Sequence, residues 1–495
     1  MIPKKTTLWR IGLLFICLAS STGCQKPSVV QITTPPPIKV QPVPGSVEFW
    51  LTNPDQAALF ARQNVSLSFG NAATNGATIT VDSAQTFQTM DGFGYTLTGG
   101  SAQLINRLKA PDQAALLNEL FSTEGKGIGV SYLCVSIGAS DLSDRGFSYN
   151  DLPTGQTDPT LSKFSLDPDR ADVIPVLKEI LAINPNIKIL GSPWSPPTWM
   201  KTNNQSKGGS LRPEFYDAYA RYFVKYIQGM KAEGIRIDAI TVQNEPLHPG
   251  NNPSLLMLAG EQAEFIGKNL GPAFGAASLD TKIILYDHNA DRIDYPLQIL
   301  DDPEARKYVD GSAFHLYGGR IGALSQVHQA HPDKHLYFTE QWVGVKGKFG
   351  DELAWHVKNL LIGAPRNWSR TVLEWNLAAD PAQKPHTEGG CTECLGALTI
   401  GNGIARNVAY YIIAHASRFV RPGSVRIASN DLARLPNVAF KVPDGRKVLI
   451  VLNDSPAAQT FNVGYQGKTF STTLGEPWAP TFGRGVRPGP APDSR

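Results

Sequence analysis

An α/β fold is predicted: a (β/α)8 barrel (TIM barrel) with a side β-sandwich domain formed by both chain ends. Three observations carry this. From about residue 88 to residue 416, short apolar runs alternate with longer amphipathic segments. Strand–helix alternation over that length calls for a parallel sheet covered by helices, most simply a closed barrel. Apolar residues at a spacing of two precede this stretch and return after it, which is a strand pattern at both ends. The chain has 495 residues, 42% apolar and 18% charged. That is ample for a barrel core and a second domain, and too apolar for a disordered chain or a coiled coil. The termini of a chain often lie close together, so the two flanks suit one shared domain. Lysine and arginine total 46 against 43 acids, a net charge of +3, which gives no reason to expect nucleic acid as a partner.

The elements follow in chain order. Lys4, Lys5 and Arg10 precede the apolar run Ile11 to Ala19, and Ser20, Ser21, Thr22 and Gly23 lead into Cys24. A basic start, a short apolar run and small residues before a cleavage point form an export signal over residues 1–23. The run is too short for a bilayer, which needs ~20 apolar residues. Cys24 directly after Thr22-Gly23 resembles a bacterial lipobox, which implies lipidation at Cys24 and an extracytoplasmic protein anchored to a membrane. Residues 24–45 hold six prolines, an extended linker. Residues 46–87 alternate at Val47, Phe49 and Leu51, at Val65, Leu67 and Phe69, and at Ile79 and Val81, as sandwich strands.

Within residues 88–416 the barrel-strand candidates include 187–190, 239–242, 283–286, 312–314, 336–338 and 371–373. The clearest helix spans 214–232, with Tyr219, Phe223, Ile227 and Met230 on one face and Gly234 after its end. Cys134, in the apolar run 130–137, reads as a buried small hydrophobe. Cys391-x-x-Cys394 lacks the context of a redox motif and two further ligands for zinc, leaving a short-loop disulfide or two structural thiols. Residues 417–475 return to strands at Val438, Phe440 and Val442 and at Val448, Ile450 and Leu452. Residues 476–495, rich in glycine, proline and arginine, read as a disordered tail that leaves the last sandwich strand incomplete.

In such a barrel the C-terminal strand ends build the active site. Run 239–242 leads into Gln243-Asn244-Glu245-Pro246, and run 336–338 leads into Thr339-Glu340-Gln341-Trp342. The two glutamates are 95 positions apart, which fits strands four and seven, with both carboxyls facing one cleft. One strand-end glutamate is as often half of an ion pair. Two in polar-aromatic settings suit glycoside hydrolysis with retention: one attacks the anomeric carbon, and the other is the acid/base. Like charges so close share a proton, and Glu245 is expected to titrate above Glu340. Aromatic and polar residues gather at the same ends: Trp194, Asn244, His315, Tyr317, Trp375 and Asn376 are the candidate sugar-binding residues. No Gly-x-Ser-x-Gly elbow and no His-Glu-x-x-His spacing is present.

The motifs Asp91-Gly92-Phe93-Gly94, Ser192-Pro193-Trp194-Ser195-Pro196-Pro197-Thr198-Trp199-Met200-Lys201-Thr202-Asn203, Asn244-Glu245-Pro246, Thr339-Glu340 and Glu374-Trp375-Asn376 resemble glycoside hydrolase family 30, the glucosylceramidase-like family. The resemblance implies the barrel-and-sandwich fold, Glu245 as acid/base, Glu340 as nucleophile, and no metal or organic cofactor. It also implies Trp194, Asn244, Tyr317 and Trp375 at the subsite of the cleaved sugar. Where the glucosylceramidase branch carries a sugar-gripping aspartate, this chain is read as having Gly99. That resembles the bacterial β-1,6-glucanase branch and makes a β-1,6-glucan the expected substrate. The alternatives are a glucosylceramidase, another β-glycosidase of the family (xylosidase, fucosidase or galactanase type), and a carbohydrate-binding lipoprotein without activity. The last conflicts with the presence of both carboxyls.

Overall fold

The computed structural model describes residues 46–71, 75–475 and 479–483, the last stretch as backbone only. The export signal, Cys24 and the proline linker lie outside the described residues. Eight parallel strands close into a barrel. They are β1 (Gly92–Leu97), β2 (Tyr132–Ser136), β3 (Lys188–Ser192), β4 (Ala239–Thr241), β5 (Lys282–Ala290), β6 (Val309–Gly319), β7 (His335–Glu340) and β8 (Ser369–Glu374). All six runs read from the sequence fall on these strands, and Glu245 and Glu340 follow or end β4 and β7. The barrel interior is filled by Tyr132, Cys134, Leu190, Ala239, Ile284, Ala313, Tyr337 and Leu373. Cys134 is a buried thiol there, as its apolar setting predicts. Gly94 on β1 has no substitute, because a Cβ would lie 1.8 Å from the Tyr132 carbonyl oxygen on β2.

Helix Val408–Ser417 is buried on every side, and the other long helices bury one face. Helix Tyr216–Ala232 buries Tyr219, Phe223, Ile227 and Met230. It starts two residues later than predicted, because Pro213–Phe215 forms a single 3-10 turn before it. Gly234 follows with φ +82°, a left-handed conformation that glycine takes without strain.

Both chain ends build the sandwich. Its nine-stranded sheet runs in the order Lys468–Leu474, Gln459–Tyr465, Ala77–Thr89, Val425–Ser429, Asn437–Lys441, Lys447–Val451, Ala479–Gly483, Phe49–Thr52 and Ala61–Arg62. A two-stranded sheet, Ser46–Val47 with Leu67–Ser68, completes it. Strand period two explains its attachment. Val438, Phe440, Val442, Val448 and Ile450 join the barrel's core, while Ala439, Leu449 and Val451 face a second core with Phe49, Leu51, Ile79 and Phe461. Two expectations are corrected. Val65 is half exposed, and only Leu67–Ser68 of its segment is a strand. Residues 479–483, assigned to a disordered tail, form a strand that pairs with Phe49–Thr52 on one side and Lys447–Val451 on the other. Its proline content hid it from the sequence reading, since proline is rare inside sheets. Among the described residues no helix is long and apolar enough to cross a membrane.

Candidate active site

The two glutamates meet at the C-terminal mouth of the barrel. Glu340 is the last residue of β7, and Glu245 sits four residues beyond β4 with φ +45°. A non-glycine residue there is strained, and the strain is held by fixed bonds. The Glu245 N–H donates to the Asp287 carbonyl at 3.0 Å, and the Asn244 N–H donates to the Pro193 carbonyl at 2.9 Å. The Gln243 amide donates to the Trp194 and Asn244 carbonyls.

His315, on β6, lies beneath both carboxylates. Its Nδ1 is 3.1 Å from Glu245 Oε1 and 3.7 Å from Glu340 Oε1, and one oxygen of each glutamate lies within 4.8 Å of the other. That spacing matches a retaining pair, about 5–5.5 Å apart, rather than an inverting one, about 6.5–9.5 Å apart. On its far side His315 Nε2 meets Asp287 Oδ1 at 3.2 Å. Asp287 also accepts from the hydroxyls of Ser192 at 2.9 Å and Thr339 at 2.6 Å. A register shift in β5 beside Tyr286, with positive φ at Tyr286 and Asp287, aims this carboxylate inward. The Tyr317 hydroxyl, two residues after His315, donates to Glu340 Oε1 at 2.9 Å.

The electrostatics follow from that arrangement. Burial alone would discharge His315, but Glu340, Asp287 and Glu245 hold its pKa well above the usual histidine value. Burial likewise pushes Asp287 up, and the His315 bond and charge with the hydroxyl donors overcome it, leaving Asp287 below its usual range. Burial raises Glu245 too, yet the His315 bond and the charges of His315, His288 and His248 bring it below 4.5. Glu340 is carried up to about 8, by burial first and by the Glu245 charge, against the pull of His315 and Tyr317. The order expected from sequence is therefore reversed: in the free site the shared proton rests on Glu340. The reason is that His315 stands closer to Glu245. Glu245, His315 and Glu340 have the composition of a metal site, but a protonated imidazole donates from both nitrogens and offers no lone pair to an ion.

The cleft above has a volume of about 380 Å³. Trp194, Asn244, Tyr317 and Trp375 line it together with the two glutamates. Trp194 and Trp375 stack at 5.5 Å and are almost wholly buried, so they build a wall rather than stand free. Two expected contacts are corrected. His315 does not line the cleft; it acts beneath it on both carboxylates. Asn376 does not line it either, because its side-chain oxygen accepts from the hydroxyls of Thr98 at 3.2 Å and Ser101 at 2.9 Å. It ties the end of β8 to the segment after β1.

Gly99 is also away from the cleft, at the start of helix Gly99–Asn106, where a Cβ would meet Ser143 Oγ at 2.9 Å. A third carboxyl in the cleft is Asp141, from the loop after β2, which sequence reasoning missed. Burial raises Asp141 to about 6, against the Cys391 N–H that donates to its Oδ2 at 3.2 Å. The absence of a charged grip inferred from Gly99 is therefore overturned. Cys391 and Cys394 are disulfide-bonded and line the same wall. His248, Asn251, His288, Asn289 and Trp342 complete the lining. Asp287, His288 and Asn289 follow the apolar run 283–286, so the strand-end rule that found Glu245 also pointed to them.

The chain matches the family described as glycosyl hydrolase family 30 TIM-barrel domain over residues 90–420, and its beta sandwich domain over residues 423–479. An endo-1,6-beta-D-glucanase of Aspergillus fumigatus is 35% identical over 412 residues, 78% of this chain and 82% of that protein. The lysosomal acid glucosylceramidase of Mus musculus is 32% identical over 416 residues, 78% of this chain and 79% of that protein. The solved structure of the endo-beta1,6-glucanase BT3312 superposes with a TM-score of 0.82 at 36% identity, covering 88% of this chain and 99% of that one.

Proposed function

This chain belongs to glycosyl hydrolase family 30, and from that premise we propose that it hydrolyses β-1,6-glucan by double displacement with retained configuration. The observation that carries the mechanism is the pair of glutamates within 4.8 Å over one histidine. Glu340, ionised and held by Tyr317, attacks the anomeric carbon, while Glu245 gives its proton to the departing oxygen. Water then attacks the glycosyl–Glu340 ester, Glu245 takes the water's proton, and the sugar leaves with Glu340 restored. Catalysis draws on the arrangement with the shared proton on Glu245; the free site favours the other, and the pair holds one proton in both. His315 faces both oxygens and stabilises either arrangement.

What supports the substrate is the identity of 35–36% to proteins named endo-1,6-glucanases, by sequence and by structure. The second reading is glucosylceramide, supported by the mouse relative and by Asp141, a carboxylate placed to accept sugar hydroxyls. Catalytic efficiency on β-1,6-glucan and on glucosylceramide in detergent decides between them. Faster glucose release from the lipid overturns the glucan reading. We further propose that the enzyme works outside the cytoplasm on a lipid anchor at Cys24. Radiolabelled palmitate that enters the protein but not its Cys24→Ser variant supports this, and equal labelling rejects it.

A further inference from the structure

Beside the catalytic cleft lies a second cavity, of about 420 Å³, on the same mouth of the barrel. Gln341, Trp342, Gly344, Asp351, Glu352 and Trp355 line it. Trp342 borders both cavities, and its ring edge passes 3.5 Å from where a Gly344 Cβ would stand. Trp355 lies on helix Phe349–His356 and is 39% exposed. Its ring meets the His356 imidazole edge to face at 5.0 Å, and the rest of the indole is open beside the cavity. His356 lines it too, with its Nε2 3.3 Å from Glu352 Oε2, so the wall carries a donor as well as acceptors. Asp351 and Glu352 supply carboxyl acceptors, and the Gln341 side-chain oxygen is buried with no hydrogen-bond partner among the described residues. A flat apolar face beside several acceptors matches a pyranose ring, whose C–H face stacks while its rim hydroxyls donate.

We propose that this cavity is a second sugar-binding subsite, taking a glucose unit of the same β-1,6-glucan chain as it runs from the catalytic cleft over Trp342 onto Trp355. The proposal rests on the glucan reading above. Its contribution is to hold polymer, since short substrates end before reaching it.

The test compares the unmodified enzyme with Trp355→Ala and Asp351→Asn on three substrates: an aryl β-glucoside, a β-1,6-linked disaccharide and β-1,6-glucan. Neither variant touches the catalytic pair. The expected result is unchanged turnover of the aryl glucoside and about a tenfold rise in KM on the polymer for Trp355→Ala, the loss of one stacking contact. Asp351→Asn, which keeps the shape of the surface, should give a smaller rise on the polymer alone. Polymer hydrolysis by the unmodified enzyme with KM unchanged in both variants rejects the subsite alone. No product from β-1,6-glucan with the unmodified enzyme rejects the substrate reading, and with it the occupant named here.

Discussion

Asp287 Oδ1 stands 3.2 Å from His315 Nε2, behind the histidine and on the side away from the cleft. The carboxylate keeps the imidazole protonated, and the protonated imidazole keeps Glu245 ionised in the free site. Asp287 is thus a positioning residue that acts through His315. Asp287→Asn should lower kcat by about 10–100-fold, as losses of such supporting partners do. It should also move the acid limb of the rate–pH profile upward, because Glu245 loses a neighbouring positive charge. A fall in rate with both limbs unmoved would mean that Asp287 serves packing only.

How much of this was legible beforehand depended on where the signal was local. The apolar runs ending in Glu245 and Glu340 marked strand ends, and the barrel brought them together as their spacing requires. Asn376 was misread because its motif neighbour Trp375 faces the cleft while its own oxygen turns to Thr98 and Ser101. Asp141 sits in a loop with no period to read, and its place is set by the Cys391 N–H, 250 positions away. The reversed titration of the glutamates could not be read from sequence either. It follows from a difference of a few tenths of an ångström in the reach of His315, 3.1 Å against 3.7 Å.

Glu340→Gln should remove glycosyl-enzyme formation and lower kcat by roughly 10³-fold or more, since a neutral amide cannot replace a carboxylate nucleophile. A mechanism-based fluoro-glycoside should label Glu340, seen by mass spectrometry of the digested protein. Glu245→Ala should regain activity with azide on substrates with good leaving groups. Label on another carboxylate would reassign the nucleophile.

The last proton of the pair should leave near pH 8, where Glu340 titrates. Rate should therefore fall on the alkaline side in that region, and on the acid side where Glu245 also gains a proton. The Tyr317 hydroxyl favours ionised Glu340. Tyr317→Phe should raise the Glu340 pKa and move the alkaline limb upward, with kcat reduced by about tenfold for a charge-assisted hydrogen bond. A limb that stays in place or moves down counts against the assignment.

The Cys391–Cys394 bond closes a loop with a sequence separation of 3. Such a short loop is worth only about 2 kcal/mol to the fold. Its position matters more. Cys394 pairs with Gly344 after β7, while Cys391 holds Asp141 from the loop after β2. Cys391→Ala/Cys394→Ala should fold with a modest drop in Tm and raise KM for the glucan more than it lowers kcat. Equal effects on the two constants, or none, would remove the disulfide from sugar binding.

Lys201 is fully buried, and among the described residues no carboxylate pairs with it. Its Nζ donates to the Ser195 hydroxyl at 2.9 Å, the Ser206 carbonyl at 2.8 Å and the Ser254 carbonyl at 2.7 Å. It therefore ties the loop after β3, which carries Trp194, to the loop after β4, which carries Asn251. Burial lowers its pKa to about 7. In the unfolded chain it stays charged to about pH 10.4, so between these values the unfolded state holds more protons and stability gains with rising pH. Lys201→Met removes both the titration and the three bonds. The variant should unfold more easily, by about 1–3 kcal/mol for the carbonyls left without a donor. The Tm gap between the native protein and the variant should widen from pH 6.5 to pH 9, because only the native protein sheds the cost of a buried charge. A gap that is constant or narrows over that range would show that Lys201 stays charged in the fold, its pKa not lowered by burial.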